Sequence, residues 1–308
     1  MALPASSTTF PTKAFDSHDS SRNAARSGAR GARLHATLIT ATGTSKLTLD
    51  GLTMKNDFTA GILAAGSSAI TPVVVLLKNG TVLDTIGTAD DCGAGGSVIL
   101  GQNVEITLDA AEIKNAKTAG ICVSNNGGST RKITLQNGAK LTNDVNGVRS
   151  QPGTGALVNI LVNGATFTSN VSAGIYLEGA GAMDLTSATM TGNAKGIAVF
   201  ANAPLSIKAR KSTFSSNTTS GIDVTTALAL TLDLGTVASV GMNTLIGNAT
   251  TGLRIAAPPD QTHSAVGNIW NANIQSADAA GHYTAGTDVV GPTNGTNHLL
   301  FNASTLTL

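Results

Sequence analysis

A short phrase returns along this chain: KNAKTAGICVSN, SNVSAGIYLEG, TGNAKGIAVFA, SNTTSGIDVTT and GNATTGLRIAA. An asparagine comes first, then a glycine followed by a branched apolar residue, then alternation of inward and outward types. The glycine of the phrase falls at Gly61, Gly120, Gly147, Gly174, Gly196, Gly221 and Gly252. From Gly120 onward the successive gaps are 27, 27, 22, 25 and 31 residues, and the 59-residue gap before it has room for two turns. Self-similarity at a period of 20 to 50 residues marks a solenoid or array. The unit carries no helical period; LVNGATF followed by GIYLEG reads as strand, turn, strand. Three short strands per turn at this period make the coil of a parallel β-helix. The composition agrees, with 35 glycines for tight turns and only one Trp, two Tyr and seven Phe in 308 residues. The expected fold is all-β, a single-stranded parallel β-helix of about eight coils.

The asparagines have a structural reading. Asn56, Asn115, Asn143, Asn170, Asn193, Asn217 and Asn248 each precede the glycine by three to five residues. Stacked at one corner of successive coils, their amides are expected to hydrogen-bond along the axis as a ladder. The glycine beside them is expected to supply a backbone conformation that a Cβ forbids. Asn170, Asn217 and Asn248 also read as Asn-x-Ser/Thr, but a laddered corner is a poor glycosylation acceptor.

The Asn-x-Gly-Ile rungs, over roughly Lys46 to Ile255, resemble right-handed parallel β-helix proteins of the pectate lyase superfamily. The tail, GNIWNANIQSADAAGHYTAG followed by GPTNGTNHLLF, is similar to the ending of a bacterial β-helix family of unknown function within that superfamily. The expected organisation is a leader over 1–45, disordered or a miscalled start; β-helix repeats over 46–257; and a C-terminal coil and cap over 258–308. Residues 1–34 are rich in Ser, Ala and Arg and show no apolar h-region, so no signal peptide is legible. The resemblance nevertheless implies an extracellular or cell-surface location.

In each Gly-Ile-x-Val strand, alternation points the intervening residue outward. One outward column is then Cys122, Arg149, Tyr176, Ala198, Asp223 and Arg254, and the next is Ser124, Gln151, Glu178, Phe200, Thr225 and Ala256. Together they gather Arg149, Gln151, Tyr176, Glu178, Phe200, Asp223 and Arg254 on one face. Arginine and tyrosine beside carboxylates suit sugar binding through stacking and hydrogen bonds; a solvated strand face is the competing reading. Enzymatic glycan cleavage needs an acid and a base. Glu178 and Asp223 lie two coils apart, about 9.6 Å at 4.8 Å per coil, near the upper end for an inverting pair. No aspartate cluster on adjacent coils matches the calcium site of pectate lyases, no aspartate pair recurs where polygalacturonases carry theirs, and Asp90-Asp91 sits in a Gly-rich loop. The catalytic residues of the superfamily therefore do not carry over.

A second face is rich in threonine: Thr166-Phe167-Thr168, Thr189-Met190-Thr191 and Thr213-Phe214-Ser215 recur in three successive coils. They resemble the Thr-x-Thr ladders of β-helical ice-binding proteins, although Lys140 and Thr142 before them and Thr244 and Ile246 after them break the pattern, and threonine is a favoured strand residue in any case. Cys92 and Cys122 are one coil apart, compatible with a disulfide in an exported protein and equally with two thiols. His263, His282 and His298 lack metal-ligand spacing, and no phosphate-binding glycine motif occurs, so neither a metal nor a cofactor is implied. A net charge of +1, with 12% charged residues, gives no footprint for nucleic acid, and no apolar run reaches the roughly 18 residues of a membrane span. The function expected is a non-catalytic exported or cell-surface scaffold binding a polysaccharide or a surface protein. The alternatives are a polysaccharide lyase or glycoside hydrolase of pectate-lyase type and, third, an ice-binding protein.

Overall fold

The computed structural model describes residues 7–9, 37–55, 60–67, 70–85, 96–123, 130–150, 157–201, 203–226, 229–256, 262–271, 288–290 and 298–300. Within them the chain is all-β, wound into three parallel sheets of 11, nine and 10 strands. Successive strands visit a Gly-Ile sheet, then a long sheet, then a short sheet, and begin again. Each strand pairs with the strand that occupied its place one coil earlier. This is a parallel β-solenoid, and the nine strands of the short sheet put its coil count close to the eight expected.

Alternation decides which side chains enter the core. Thr130–Gln136, TRKITLQ, and Leu157–Asn163, LVNILVN, lie side by side in the long sheet with every second residue buried. Stacking therefore places like on like. In the Gly-Ile sheet, Ile62, Val98, Ile121, Val148, Ile175, Ile197, Ile222 and Leu253 form one unbroken inward column. In the short sheet, Leu141, Phe167, Met190 and Phe214 do the same. All of these are buried. No single coil encloses a core of its own; each covers the apolar column of its neighbour.

Between the short sheet and the Gly-Ile sheet the chain turns through a corner of three to five residues that opens on a constant two-residue step. Its first residue is in the left-handed region, at Asn115 (φ 60°), Asn143 (56°), Ser169 (58°), Gly192 (68°), Ser216 (55°) and Gly247 (70°). The second points inward, and there Asn170, Asn193, Asn217 and Asn248 stack, all buried. The backbone N–H and the Nδ2 of Asn170 both donate to Asn193 Oδ1, each at 2.9 Å. Asn193 donates in the same way to Asn217 Oδ1, and Asn217 to Asn248 Oδ1. The other Nδ2 proton goes to a strand-centre carbonyl one coil below, Leu141 O for Asn170, Phe167 O for Asn193, Met190 O for Asn217 and Phe214 O for Asn248.

Asn115 and Asn143 are not rungs of this ladder. Both are exposed and occupy the preceding left-handed step, where asparagine is tolerated without a glycine's freedom; Asn115 Nδ2 donates instead to Asp84 Oδ1 at 2.7 Å. The inward positions in their coils are Ala116 and Asp144. Counting back from the glycine misplaces them because that loop varies in length. Counting forward from the last short-strand residue, Thr142, Thr168, Thr191 or Ser215, puts Asp144, Asn170, Asn193 and Asn217 in step. Asn56 lies outside the described residues.

The glycines serve closeness rather than dihedral freedom. A Cβ on Gly196 would stand 2.4 Å from Gly221 O, and one on Gly174 would stand 2.8 Å from Gly196 O. The left-handed glycines lie elsewhere, in the turns. A second ladder, absent from the sequence reading, holds the corner between the long and short sheets near the C-terminal end: Ser212 N–H donates to Asn243 Oδ1 at 2.9 Å, and Asn243 N–H and Nδ2 donate to Asn268 Oδ1 at 3.0 and 2.8 Å.

The winding also begins upstream of residue 46. Thr37–Gly43 pairs in register with Ala60–Gly66, and Ser7–Thr9 lies beside Lys46–Thr48 in the long sheet. Ile39 and Ala41 supply the inward alternation there. Past residue 257, the strands Thr262–Ser264, Ile269–Trp270, Val289–Val290 and His298–Leu300 continue the three sheets in turn, with Trp270 buried over Leu245.

The ladder geometry separates two kinds of asparagine. Asn193→Ala should destabilise the protein by about 1–3 kcal/mol, because buried donors and an acceptor lose their partners. Asn143→Gly, at an exposed left-handed position, should stay within about 0.5 kcal/mol of the parent. Urea unfolding of the two variants checks the contrast; equal losses would contradict it.

Candidate functional site

The outer surface of the Gly-Ile sheet holds the candidate site. Strand pairing aligns Cys122, Arg149, Tyr176, Ala198, Asp223 and Arg254 in one column, each residue beside the next across a single coil step. Residues 22 to 31 apart in sequence thereby become neighbours. Phe200 pairs with Thr225 in the next outward column. Glu178 follows directly on the strand Ala173–Leu177, and Gln151 and Ser124 lie outside the described residues.

The column is not uniformly a solvent face. Ile99 and Cys122 point outward yet are buried, and with Ala60 and Ala119 they form a small apolar cluster separate from the main core. Cys122 is disulfide-bonded; the chain has one other cysteine, Cys92, which lies outside the described residues. The open part of the face starts at Arg149 and is dominated by two rings. Tyr176 and Phe200 stand 5.7 Å apart between centroids, tilted by 34°, and Phe200 is 44% exposed despite its size. A cation covers each ring: the Arg149 guanidinium lies 5.8 Å from the Tyr176 centroid, and Lys195 Nζ lies 5.5 Å from that of Phe200. Such placements add to the packing of half-exposed rings.

Lys195 is the residue that sequence reasoning missed. It belongs to the neighbouring column, Ala119, Asn146, Ala173, Lys195, Ser220 and Thr251, whose other members are small or short. A lone lysine among alanines and hydroxyl residues at that step of the repeat was the available signal. Its Nζ reaches Asp223 Oδ2 at 2.6 Å, while Arg254 Nη1 reaches Asp223 Oδ1 at 3.0 Å. The Asp223 side chain is only 4% exposed. A carboxylate so placed needs compensation for its lost hydration, and a cation on each oxygen provides it.

Glu178 is held differently. Ser150, buried one coil below, accepts a hydrogen bond at its Oγ from the Glu178 N–H at 2.9 Å and donates to the Glu178 carbonyl at 3.0 Å. This fixes the Glu178 backbone and leaves its carboxylate beside the Tyr176 hydroxyl. Burial, the hydrogen bond to Glu178 and the negative charge of Glu178 together push the Tyr176 phenol up to about 12, with Arg149 opposing them. Tyr176 is therefore a neutral donor at any physiological pH. The site offers two ring faces, an oriented acceptor and three cations, one carboxylate of the pair being tied up in salt bridges.

The other candidate groups are placed apart. Thr166, Thr189 and Thr213 align across the short sheet, as do Thr168, Thr191 and Ser215. All six are half-buried around the inward Phe167, Met190 and Phe214. Towards the N-terminal end the same sheet turns charged, with Lys114 ion-paired to Glu112 at 3.7 Å. His263 is buried in the long sheet, where desolvation lowers its pKa; His298 is in a strand at the C-terminal end, and His282 lies outside the described residues. Among the described residues no group of three His, Cys, Asp or Glu side chains is arranged to hold a metal ion, and no helix is long and apolar enough to cross a membrane. The buried, laddered amides of Asn170, Asn217 and Asn248 are unavailable for glycosylation in the folded chain.

Fold and site together define a parallel β-solenoid with an aromatic and charged strand face. No family model matches the chain, and no curated protein or solved structure matches it.

The tyrosine supplies a direct check on this geometry. Glu178→Gln should bring the Tyr176 phenol down from about 12 towards its ordinary value of 10.0, because both the charge and the carboxylate acceptor are lost. The folded pKa lies above the unfolded one, so the stability this group contributes is intact below the unfolded pKa and lost as pH rises through about 12. Ultraviolet titration of the parent and Glu178→Gln, each with a Tyr176→Phe control, reads the shift.

Proposed function

We propose that this chain is a non-catalytic β-helix scaffold that binds a glycan on the outer face of its Gly-Ile sheet. The tilted Tyr176–Phe200 pair carries the reading: two ring faces 5.7 Å apart, one of them 44% exposed, bordered by hydrogen-bonding side chains. Sugar rings present C–H faces to stack on such rings and hydroxyls at their edges for groups like Glu178 and Arg149. The scaffold reading gains support from Asp223. A proton-transferring partner for Glu178 must be free to exchange its proton, whereas both Asp223 oxygens are engaged by Lys195 and Arg254. An exported or surface location is supported by the disulfide at Cys122. The right-handed winding of the pectate lyase superfamily is the chirality that parallel β crossovers favour, and we assign the chain to that class of scaffold on its rung pattern.

A glycan array probed with the intact protein, followed by titration of the best binder, tests the proposal. Tyr176→Ala should weaken binding at least tenfold, about 1.4 kcal/mol, with an unchanged melting temperature, while Thr189→Leu on the short sheet should bind as the parent does. Release of reducing or unsaturated sugars, abolished by Glu178→Gln, would replace the scaffold reading with the lyase or hydrolase one. Absence of binding to every glycan on the array, or binding indifferent to Tyr176→Ala, would refute it.

A further inference from the structure

The Asn ladder does not end on an asparagine. One coil below Asn170 the inward corner residue is Asp144, fully buried. Its backbone N–H donates to Asn170 Oδ1 at 3.0 Å, as the backbone of every higher rung donates to the next. Its Oδ1 accepts the N–H of Ala116 at 2.7 Å, the bond that each asparagine Oδ1 accepts from the coil below. The carboxyl group is thus oriented like the amides above it, with Oδ1 in the place of their oxygen and Oδ2 in the place of their Nδ2.

That second place is built for a donor. In the four rungs above, Nδ2 donates to the central carbonyl of the short strand one coil below. The register of Ile113 with Leu141 makes Ile113 O the matching acceptor for Asp144. In the rungs that have an asparagine above them, Nδ2 also donates to the next Oδ1. An ionised Oδ2 would face lone pairs. It is buried, accepts no hydrogen bond from any described residue, and lies against Gly120, where a Cβ would stand 2.9 Å away.

We propose that Asp144 is a neutral carboxylic acid in the folded protein at neutral pH, donating its Oδ2 proton into the ladder as an asparagine would, and that this rung makes the solenoid weaken as pH rises. The charged groups on the elements around it fit. Below it, Glu112 and Lys114 are ion-paired on the short strand of the preceding coil, and Lys117 is exposed at that coil's corner. On its own short strand Lys140 is exposed, and the corner above, 169–172, carries no charge. Burial holds the Asp144 carboxyl well above the usual carboxylate range, and the charge of Glu112 pushes the same way against the single hydrogen bond from Ala116.

A group whose pKa is higher folded than unfolded contributes stability that is complete below its unfolded pKa and is lost as pH rises through its folded pKa. Between those two values each pH unit lowers the folding equilibrium constant tenfold. Asp144→Asn replaces the proton-dependent donor with a permanent one. Relative to this variant, the parent should lose a factor of ten in folding equilibrium constant per pH unit from about pH 4 upward, measured by urea unfolding between pH 4 and 9. On the unsubstituted protein, the Asp144 Cγ resonance should keep its protonated chemical shift at pH 7. Parallel pH profiles for the two proteins, or an Asp144 Cγ that titrates near 4, would overturn the proposal. The resonance alone decides if the variant fails to fold.

Discussion

Everything in this molecule hangs on the hydrogen bond from one coil to the next. Within the strands the backbone satisfies itself, because each parallel neighbour supplies donors and acceptors in step. At the corners most N–H groups still reach a carbonyl of the neighbouring coil, as Asn143 does Thr168 O and Val171 does Asp144 O, but the N–H of the inward corner residue donates to a side chain instead. The asparagine side chain takes that role on both sides: its oxygen takes the corner N–H from the coil below, and its amide reaches the strand-centre carbonyl there. From Asp144 to Asn248 these bonds keep the corner in step, while strand pairing carries the register through earlier coils, such as that of Ala116, which lack an asparagine rung. The corner asparagine is in this sense a piece of backbone carried on a side chain.

Register then makes a surface. Because each coil repeats its predecessor, an outward position in one strand lies beside the same position in the next, and residues far apart in sequence are brought into one file. The core columns must stay apolar and of fitting volume, whereas the outward columns are free to vary. In the Gly-Ile sheet this freedom runs from an apolar, disulfide-bonded part around Ile99 and Cys122 to the open cluster of Arg149, Tyr176, Glu178, Phe200, Lys195, Asp223 and Arg254. The cluster is internally balanced: Asp223 is neutralised by two cations, Glu178 is fixed by Ser150 and turned to the Tyr176 hydroxyl, and the rings are left as its least satisfied surface.

The long sheet shows the contrasting use of the same freedom. Its outward columns carry opposite charges stacked along the axis, Lys78 on Asp50 and Lys208 on Asp184, and Arg210 reaches diagonally to Asp233, its Nη2 donating to both carboxylate oxygens. Such cross-strand pairs support register and keep a strand face wet. Apolar area is exposed beside charges on both faces, Leu161 next to Asp184 in the long sheet and Phe200 next to Lys195 in the Gly-Ile sheet; among the described residues only the Gly-Ile face adds a second ring and a cation over each.

Periodicity alone was enough to determine the solenoid, its three strands per coil and the outward column from Cys122 to Arg254, because a two-residue alternation repeated at a near-constant interval has few other ways to bury its apolar half. The tertiary structure decided what depends on contacts across coils. It moved Asn115 and Asn143 from the ladder to exposed left-handed steps, since corner loops differ by a residue and only strand register shows which residue points inward. It put Ala116 and Asp144 in their place, brought Lys195 from a neighbouring column onto Asp223, and revealed the Ser212–Asn243–Asn268 corner, where serine and asparagine replace the alanines of earlier coils. A linear pattern records which residues recur; hydrogen bonds and ion pairs between coils depend on side-chain reach and direction, and these exist only once the coils are stacked.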